Sequence, residues 1–186
     1  MAKKKSLSLI MSLVAIALAI LTITTFFMPT IKRNDSENGK FSAMEICFVS
    51  KDKCEEKLKD AVKNLDKDGT AHYTYLSAIK SNEDTAKAIQ TASWFHFTAM
   101  LFAIATIVLV VLSLFGKKLG LWAKLASILV VLCMLASLIS VCGFLNVEIL
   151  NTPVKESYKI GVASILGFIS SILTTASLFI NIKSKK

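Results

Sequence analysis

The chain is 186 residues long, 54% of them hydrophobic, and carries a formal net charge of +9. That length suits one domain, or a helical bundle with a small appended module. The apolar residues are gathered into long runs, which excludes an ordinary soluble globule, and the basic excess sits only at the ends of those runs, which points away from nucleic acid.

Four runs, 6–28, 93–115, 121–145 and 160–182, each hold about 20 or more residues with no ionisable side chain in the middle, the signature of a transmembrane helix. A buried helix of a soluble protein would show a polar stripe, and these do not. Lysines cluster at Lys3, Lys4 and Lys5, at Lys117, Lys118 and Lys124, and at Lys183, Lys185 and Lys186. These nine account for the whole net charge, because residues 30–92 hold eleven basic and eleven acidic side chains and the loop 146–159 is also balanced. The clusters fall on alternate sides of successive spans, so the positive-inside rule places both termini in the cytoplasm and the loops 30–92 and 146–159 outside a cell membrane.

In chain order, the first apolar run follows Lys3–Lys5 as a secretory signal would, with Ala15-Ile16-Ala17 as small residues. It continues through Phe26 and Phe27 to Met28, beyond a typical signal core, which predicts an uncleaved first span ended by Pro29. The tract Asn34-Asp35-Ser36-Glu37-Asn38-Gly39 is turn-rich, and Asn34-Asp35-Ser36 has the form of a glycosylation acceptor. Residues 41–49 fit a short strand or a helical turn, and nine residues of periodicity do not choose between them.

Asp52-Lys53-Cys54-Glu55 has capping-box spacing, and Cys54, Leu58, Ala61, Val62 and Leu65 follow on one helical face. Asp68-Gly69 offers a stop. A further helix is expected over 71–80. Ser81-Asn82-Glu83-Asp84 is a second N-cap signal, for a helix that continues into the second span. The segment 30–92 is therefore expected to fold as a mainly helical cap. Trp94, Phe95, Phe97, Trp122 and Tyr158 suit the aromatic belts of a membrane protein.

Cys47 and Cys54 are the sharpest chemical feature of the cap. A bridge between them would contribute roughly 2.5 kcal/mol and would require the backbone to turn near Ser50, since one unbroken helix would hold the α-carbons about 10 Å apart. A structural disulfide is expected, with two free thiols as the alternative; the Cys-x-x-Cys spacing of redox sites is absent. Cys133 and Cys142 fall within a span as packing residues. His72 and His96 stand alone, without zinc-ligand spacing, and His96 is expected at the bilayer edge. Asn64-Leu65-Asp66-Lys67-Asp68-Gly69 imitates half of a calcium loop, but Tyr75 occupies the position of the bidentate glutamate, so a capped helix end is the expected reading. Ala163, Gly167, Ser171 and Thr175 recur every four residues in the last span, a ladder that lets another helix approach, in this bundle or in a partner. Intramembrane carboxylates, phosphate-binding glycine loops and nucleophile motifs are all missing from the sequence.

The layout of four spans, both ends inside and a long first outer loop with two cysteines resembles that of claudin-type tetraspan proteins and of small bacterial four-span proteins. The Gly-Leu-Trp that precedes the claudin cysteine pair occurs here only as Gly120-Leu121-Trp122, on the cytoplasmic side, so the resemblance covers topology and transfers no residue. The cap is also expected to be helical rather than the claudin sheet. The sequence thus predicts an all-α membrane protein, a four-transmembrane-helix bundle with a mainly helical extracytoplasmic cap between helices 1 and 2. Its expected role is non-enzymatic, without cofactor or metal: an interaction, scaffold or accessory subunit in the lipid bilayer, bound to another membrane or extracytoplasmic protein or to copies of itself. The alternative is an oligomeric channel lined by Thr22, Thr24, Thr25, Ser170, Ser171, Thr174 and Thr175.

Overall fold

The computed structural model of the chain describes residues 2–35, 39–149 and 152–183. It is mostly helical, and four helices are long and apolar enough to cross a membrane: α1 (Ala2–Thr25), α5 (Glu83–Leu114), α6 (Gly120–Leu145) and α7 (Val162–Lys183). Between α1 and α5 lie β1 (Pro29–Arg33), β2 (Lys40–Ser42), α2 (Ala43–Phe48), α3 (Lys51–Lys63) and α4 (Lys67–Ser81). Between α6 and α7 lie β3 (Glu148–Ile149), β4 (Thr152–Pro153), a 3-10 turn at Val154–Glu156 and β5 (Tyr158–Ile160). Ser36, Glu37 and Asn38 of the turn-rich tract lie outside the described residues, and so do Lys185 and Lys186.

The apolar runs become helices with shifted ends. α1 stops at Thr25 rather than Met28, because the residue before a proline avoids the helical region. Its exit tightens through bonds from Phe26 N to Ile23 O (3.2 Å) and Met28 N to Thr25 O (3.2 Å), and Pro29 opens a strand instead. α5 starts ten residues ahead of the apolar run, as the Asn82 signal foretold: Asn82 Oδ1 accepts from the backbone of Asp84 and Thr85, both at 3.1 Å. Its 32 residues amount to about 48 Å of helix against a hydrocarbon core of about 30 Å. The helix is therefore longer than one crossing needs, and its first turns, through Ile89 and Ala92, pack against the cap.

The spanning helices pack in a closed ring, α1 beside α5, α5 beside α6, α6 beside α7 and α7 beside α1. Buried positions on α5 alternate in steps of four and three: Thr85, Ile89, Ala92, His96, Ala99, Ala103, Thr106 and Val110. Ala123, Ser127, Val130, Met134, Ser137, Val141 and Phe144 do the same on α6. This is the seam of a left-handed helix pair, made here from small residues so that the backbones approach closely. Large apolar side chains point the other way, among them Leu13, Leu101, Ile104, Leu132, Ile139 and Ile169, each about half exposed.

Each neighbouring pair of helices also shares a hydroxyl-mediated tie. Thr22 and Ser170 hydroxyls meet at 2.8 Å between α1 and α7, and Thr175 Oγ1 donates to Ser127 O of α6 at 3.1 Å. Ser137 Oγ donates to Ala92 O of α5 at 2.8 Å, and Thr25 Oγ1 lies 2.9 Å from His96 Nε2 between α1 and α5. Since Thr25 donates its hydroxyl proton to Thr22 O (2.6 Å), His96 Nε2 is the donor in that last bond.

The cap combines helices with a small antiparallel sheet in the order β2-β1-β5, beyond the mainly helical cap that was expected. Residues 41–49 split into both candidate forms: Phe41 and Ser42 finish β2, and Ser42 then caps α2. Its hydroxyl accepts from Glu45 N (3.3 Å) while the Glu45 carboxylate accepts from Ser42 N (3.0 Å), a capping box. Ser50, not Asp52, caps α3. The expected stop at Gly69 is also displaced: Leu65 takes the left-handed conformation (φ 54°), and Asp66 caps α4 by accepting from Gly69 N at 3.0 Å. A single core joins cap and bundle, with Ile31, Phe41, Ile46, Leu76 and Ile79 packed against Ile89 and Ala92 of α5 and Phe144 of α6.

Gly167 marks the closest approach of α7, since a β-carbon there would meet Met134 of α6 and stand 2.8 Å from Thr25 Oγ1 of α1. Gly167→Val is expected to cost about 2 kcal/mol by overpacking, read as a lower thermal midpoint in detergent. Gly143→Ala, whose added methyl meets open space, should leave the midpoint unchanged or slightly higher. Equal midpoints for Gly167→Val and the wild type would sink this account of the ring.

Candidate functional site: the cap

The outermost layer of the cap is the α3–α4 hairpin. α3 buries only Cys54 and Ala61, leaving a row of acidic and basic side chains exposed. Beside it, Phe48, Val49, Lys53, Glu56, Lys57 and Asp60 line an open groove of about 520 Å³. Val62 is 56% exposed and Leu65 87% exposed at the tip of the hairpin. An apolar side chain is thus displayed at a backbone conformation that costs a non-glycine residue about 1–2 kcal/mol.

Three contacts of charged side chains fix this hairpin to β1 and α2, the inner elements of the cap. Arg33, the single arginine among 22 basic residues, sits on β1 with its guanidinium 4.1 Å from the Tyr75 ring centroid of α4. Its Nη2 donates to Asp35 Oδ2 at 3.0 Å, and its positive charge acts on Tyr158 of β5. The hydrogen bond with Asp35 raises the Arg33 pKa and lowers that of Asp35. Only a planar, forked cation both stacks and pairs in this way, which accounts for arginine in a lysine-rich chain. Second, His72 of α4 lies 3.1 Å from Glu45 Oε1 and stacks near Phe41, ring centroids 4.9 Å apart. Burial alone would raise the Glu45 carboxyl, but hydrogen bonds from His72 and Ser42 outweigh it and hold the pKa below its ordinary 4.5. Third, Lys80 at the end of α4 donates to Ile46 O (2.9 Å) in the last turn of α2, where a cation complements the helix dipole.

The expected Cys47–Cys54 disulfide is not formed; both thiols are free. The chain does turn at Ser50, but α3 restarts with Cys54 facing the core against α4, fully buried, while Cys47 is half-buried on α2. Burial pushes the Cys47 thiol up to about 11, and it raises the Cys54 pKa as well, with Lys80 opposing both shifts. Thiols held in this protonated form are poor nucleophiles.

The aromatic residues divide. Trp94 and Phe95 are exposed and Phe97 half-buried at the cap end of the bundle. Trp94 and Phe97 stack edge to face with Phe48 of α2, at 6.2 and 5.6 Å. Trp122 is exposed at the opposite end. Tyr158 turns inward instead, against Phe144 and Arg33. His96 also departs from its expected place at the bilayer edge: the four-three seam of α5 carries it fully inside. Ala163, Gly167 and Ser171 are buried within the chain's own ring, and Thr175 is half-buried at its tie to α6. Thr22, Thr25, Ser170 and Thr174 also face this interior. Asn64, Asp66 and Asp68 form helix ends, and among the described residues no three His, Cys, Asp or Glu side chains converge as metal ligands.

Sequence reasoning passed over Arg33, Lys80, the His72–Glu45 pair and the conformation of Leu65. The lysine bias was a usable signal for Arg33, as a lone arginine marks a position where lysine does not serve. The other contacts join residues 27 to 34 positions apart and left no local pattern. The chain matches no family model, no curated protein and no solved structure.

Two outcomes follow for the cap. Arg33→Lys should lose the stacked, forked geometry and about 1 kcal/mol, seen as a lower midpoint that Arg33→Ala does not greatly worsen. Because the Glu45 pKa is depressed in the folded state, its contribution is present above pH 4.5 and is lost as the pH falls through the folded value. The wild-type midpoint should therefore decline in that acid range more steeply than that of Glu45→Gln; parallel profiles would contradict the assignment.

Proposed function

We propose that this chain is a non-enzymatic multi-pass membrane protein that acts as an interaction or accessory subunit, using its cap to engage another membrane or extracytoplasmic protein. The distribution of charge supports the orientation: all thirteen acidic residues fall in 35–84 or 148–156, and the nine unbalanced lysines fall in 3–5, 117–124 and 183–186, across the apolar runs from them in sequence. Under the positive-inside rule the cap faces outward and both termini face the cytoplasm.

The observation that carries the reading is Leu65. An 87% exposed leucine at φ 54° is unfavourable in two ways, as displayed apolar surface and as backbone. Asparagine or glycine would suit the turn better, so the side chain is retained for what it contacts. Val62 extends the same apolar tip, and the charged row of α3 provides a polar rim around it, the usual anatomy of a protein contact. The joint core of cap and bundle holds this tip on a rigid support rather than on a tethered module.

Crosslinking mass spectrometry on native membranes, using the cap lysines, would identify what touches this tip. Leu65→Gly separates contact from folding. It should stabilise the protein by about 0.5–1 kcal/mol by relieving the left-handed strain, while reducing the crosslinked partner severalfold. Unchanged crosslinking with a raised midpoint would remove Leu65 from any interface.

A further inference from the structure

Lys124 is 7% exposed, one turn inside the start of α6, in a helix long and apolar enough to cross a membrane. A lysine so placed requires compensation, because an ammonium in a membrane helix is costly unless it reaches water, an anion or a headgroup. The chain supplies no acidic side chain for this: none occurs between residues 84 and 148, before residue 35 or after residue 156. The acidic side chains among the described residues lie in the segment from β1 to the first turn of α5 or in the connection between α6 and α7. Its recorded neighbour is instead Phe179 of α7, whose ring centroid lies 4.4 Å from Nζ. Phe179 is itself 47% exposed, so the ammonium is held at the rim of the bundle, where lipid begins.

The surroundings fit one ligand chemistry. Four residues of helix separate Lys124 from the α6 start at Gly120, about 6 Å, within reach of an extended lysine side chain. Trp122, 60% exposed, marks the same depth, and Leu121 and Leu125 present apolar surface to either side. Exposed Lys117 and Lys118 add positive charge in the preceding turn. We propose that Lys124, braced by Phe179, is the phosphate-binding group of a site for an anionic phospholipid at the lysine end of the bundle. The phosphate supplies the missing counter-charge, and the exposed apolar side chains of α6 and α7 accompany the acyl chains. Basic positions between membrane helices recognise such headgroups in general. The site rests on the four helices crossing a membrane and is independent of what the cap binds.

Native mass spectrometry of the full chain in detergent tests this by titration with phosphatidylglycerol, phosphatidylcholine or inorganic phosphate. The wild type should retain one phosphatidylglycerol at about fivefold lower concentration than Lys124→Gln, the equivalent of about 1 kcal/mol for one lysine at a headgroup. Lys124→Arg should restore retention, Phe179→Leu should weaken it, and Lys118→Gln should shift it less than Lys124→Gln. Equal retention by Lys124→Gln and the wild type would overturn the proposal. So would phosphatidylcholine binding as tightly as phosphatidylglycerol, or inorganic phosphate displacing the lipid, which would mark a site for free anions. A lower thermal midpoint of Lys124→Gln with an unchanged lipid titration would assign the residue to packing alone, and would equally overturn the site.

Discussion

Helices that face lipid gain little from apolar contact with one another, since hydrocarbon tails offer the same contact. The ring of α1, α5, α6 and α7 therefore depends on close backbone approach and on the hydroxyl ties between neighbours. Small residues permit the approach, and their hydroxyls find partners that a lipid-facing orientation would deny them. Many of these hydroxyls also bond the carbonyl three or four residues earlier in their own helix, as Thr25, Ser170 and Thr174 do. Each then carries little unsatisfied polarity into the interior, so serine and threonine behave here as compact packing residues that add a directional contact at one level.

The cap inherits its rigidity from this ring. α5 is one unbroken helix, and its Ile89 and Ala92 enter the same core as Ile46, Leu76 and Ile79. β1 follows directly from the end of α1, and β5 leads directly into α7, so the sheet clamps the exits of two spanning helices together. Ser164 Oγ of α7 donates to Thr30 O of β1 at 3.3 Å, which extends the clamp by another turn. The β1–β5 pair thus joins the cap to α1 and α7 through main chain.

Legibility in the sequence followed the range of the forces involved. The spans were readable because hydropathy acts over twenty adjacent residues, and the Asn82 cap because its partners lie two and three positions away. The sheet was not readable: β1 pairs with β5 about 130 residues later, and strands of three to five residues have no periodicity of their own. Cys47 and Cys54 illustrate the limit from the other side. The turn between them was correctly required at Ser50, yet the direction in which α3 left that turn was set by Leu76 and Ile79 of α4, residues that nothing near the cysteines announces. His96 was misplaced for a related reason, since its aromatic neighbours suggested an interface while the four-three spacing of Ala92 and Ala99 carried it inward.

The segregation of charge bears on why the two ends of the molecule are built differently. At the cap, Arg33 pairs with Asp35, Glu45 with His72 and Lys80 with the Ile46 carbonyl, so each of these charged groups finds its partner within the chain and becomes structural. At the far end, Lys117, Lys118 and Lys124 lie in a stretch, 85–147, that holds no acidic side chain. Such an end cannot be stabilised by its own electrostatics, and mutual repulsion among its lysines favours a negatively charged neighbour. Of these three, Lys124 has its side chain packed into the helices, and Phe179 is the contact that keeps it there. The charged groups of the cap thus find their partners within the chain, whereas Lys124 rests on an aromatic face and draws its counter-charge, on the lipid site proposed above, from outside it.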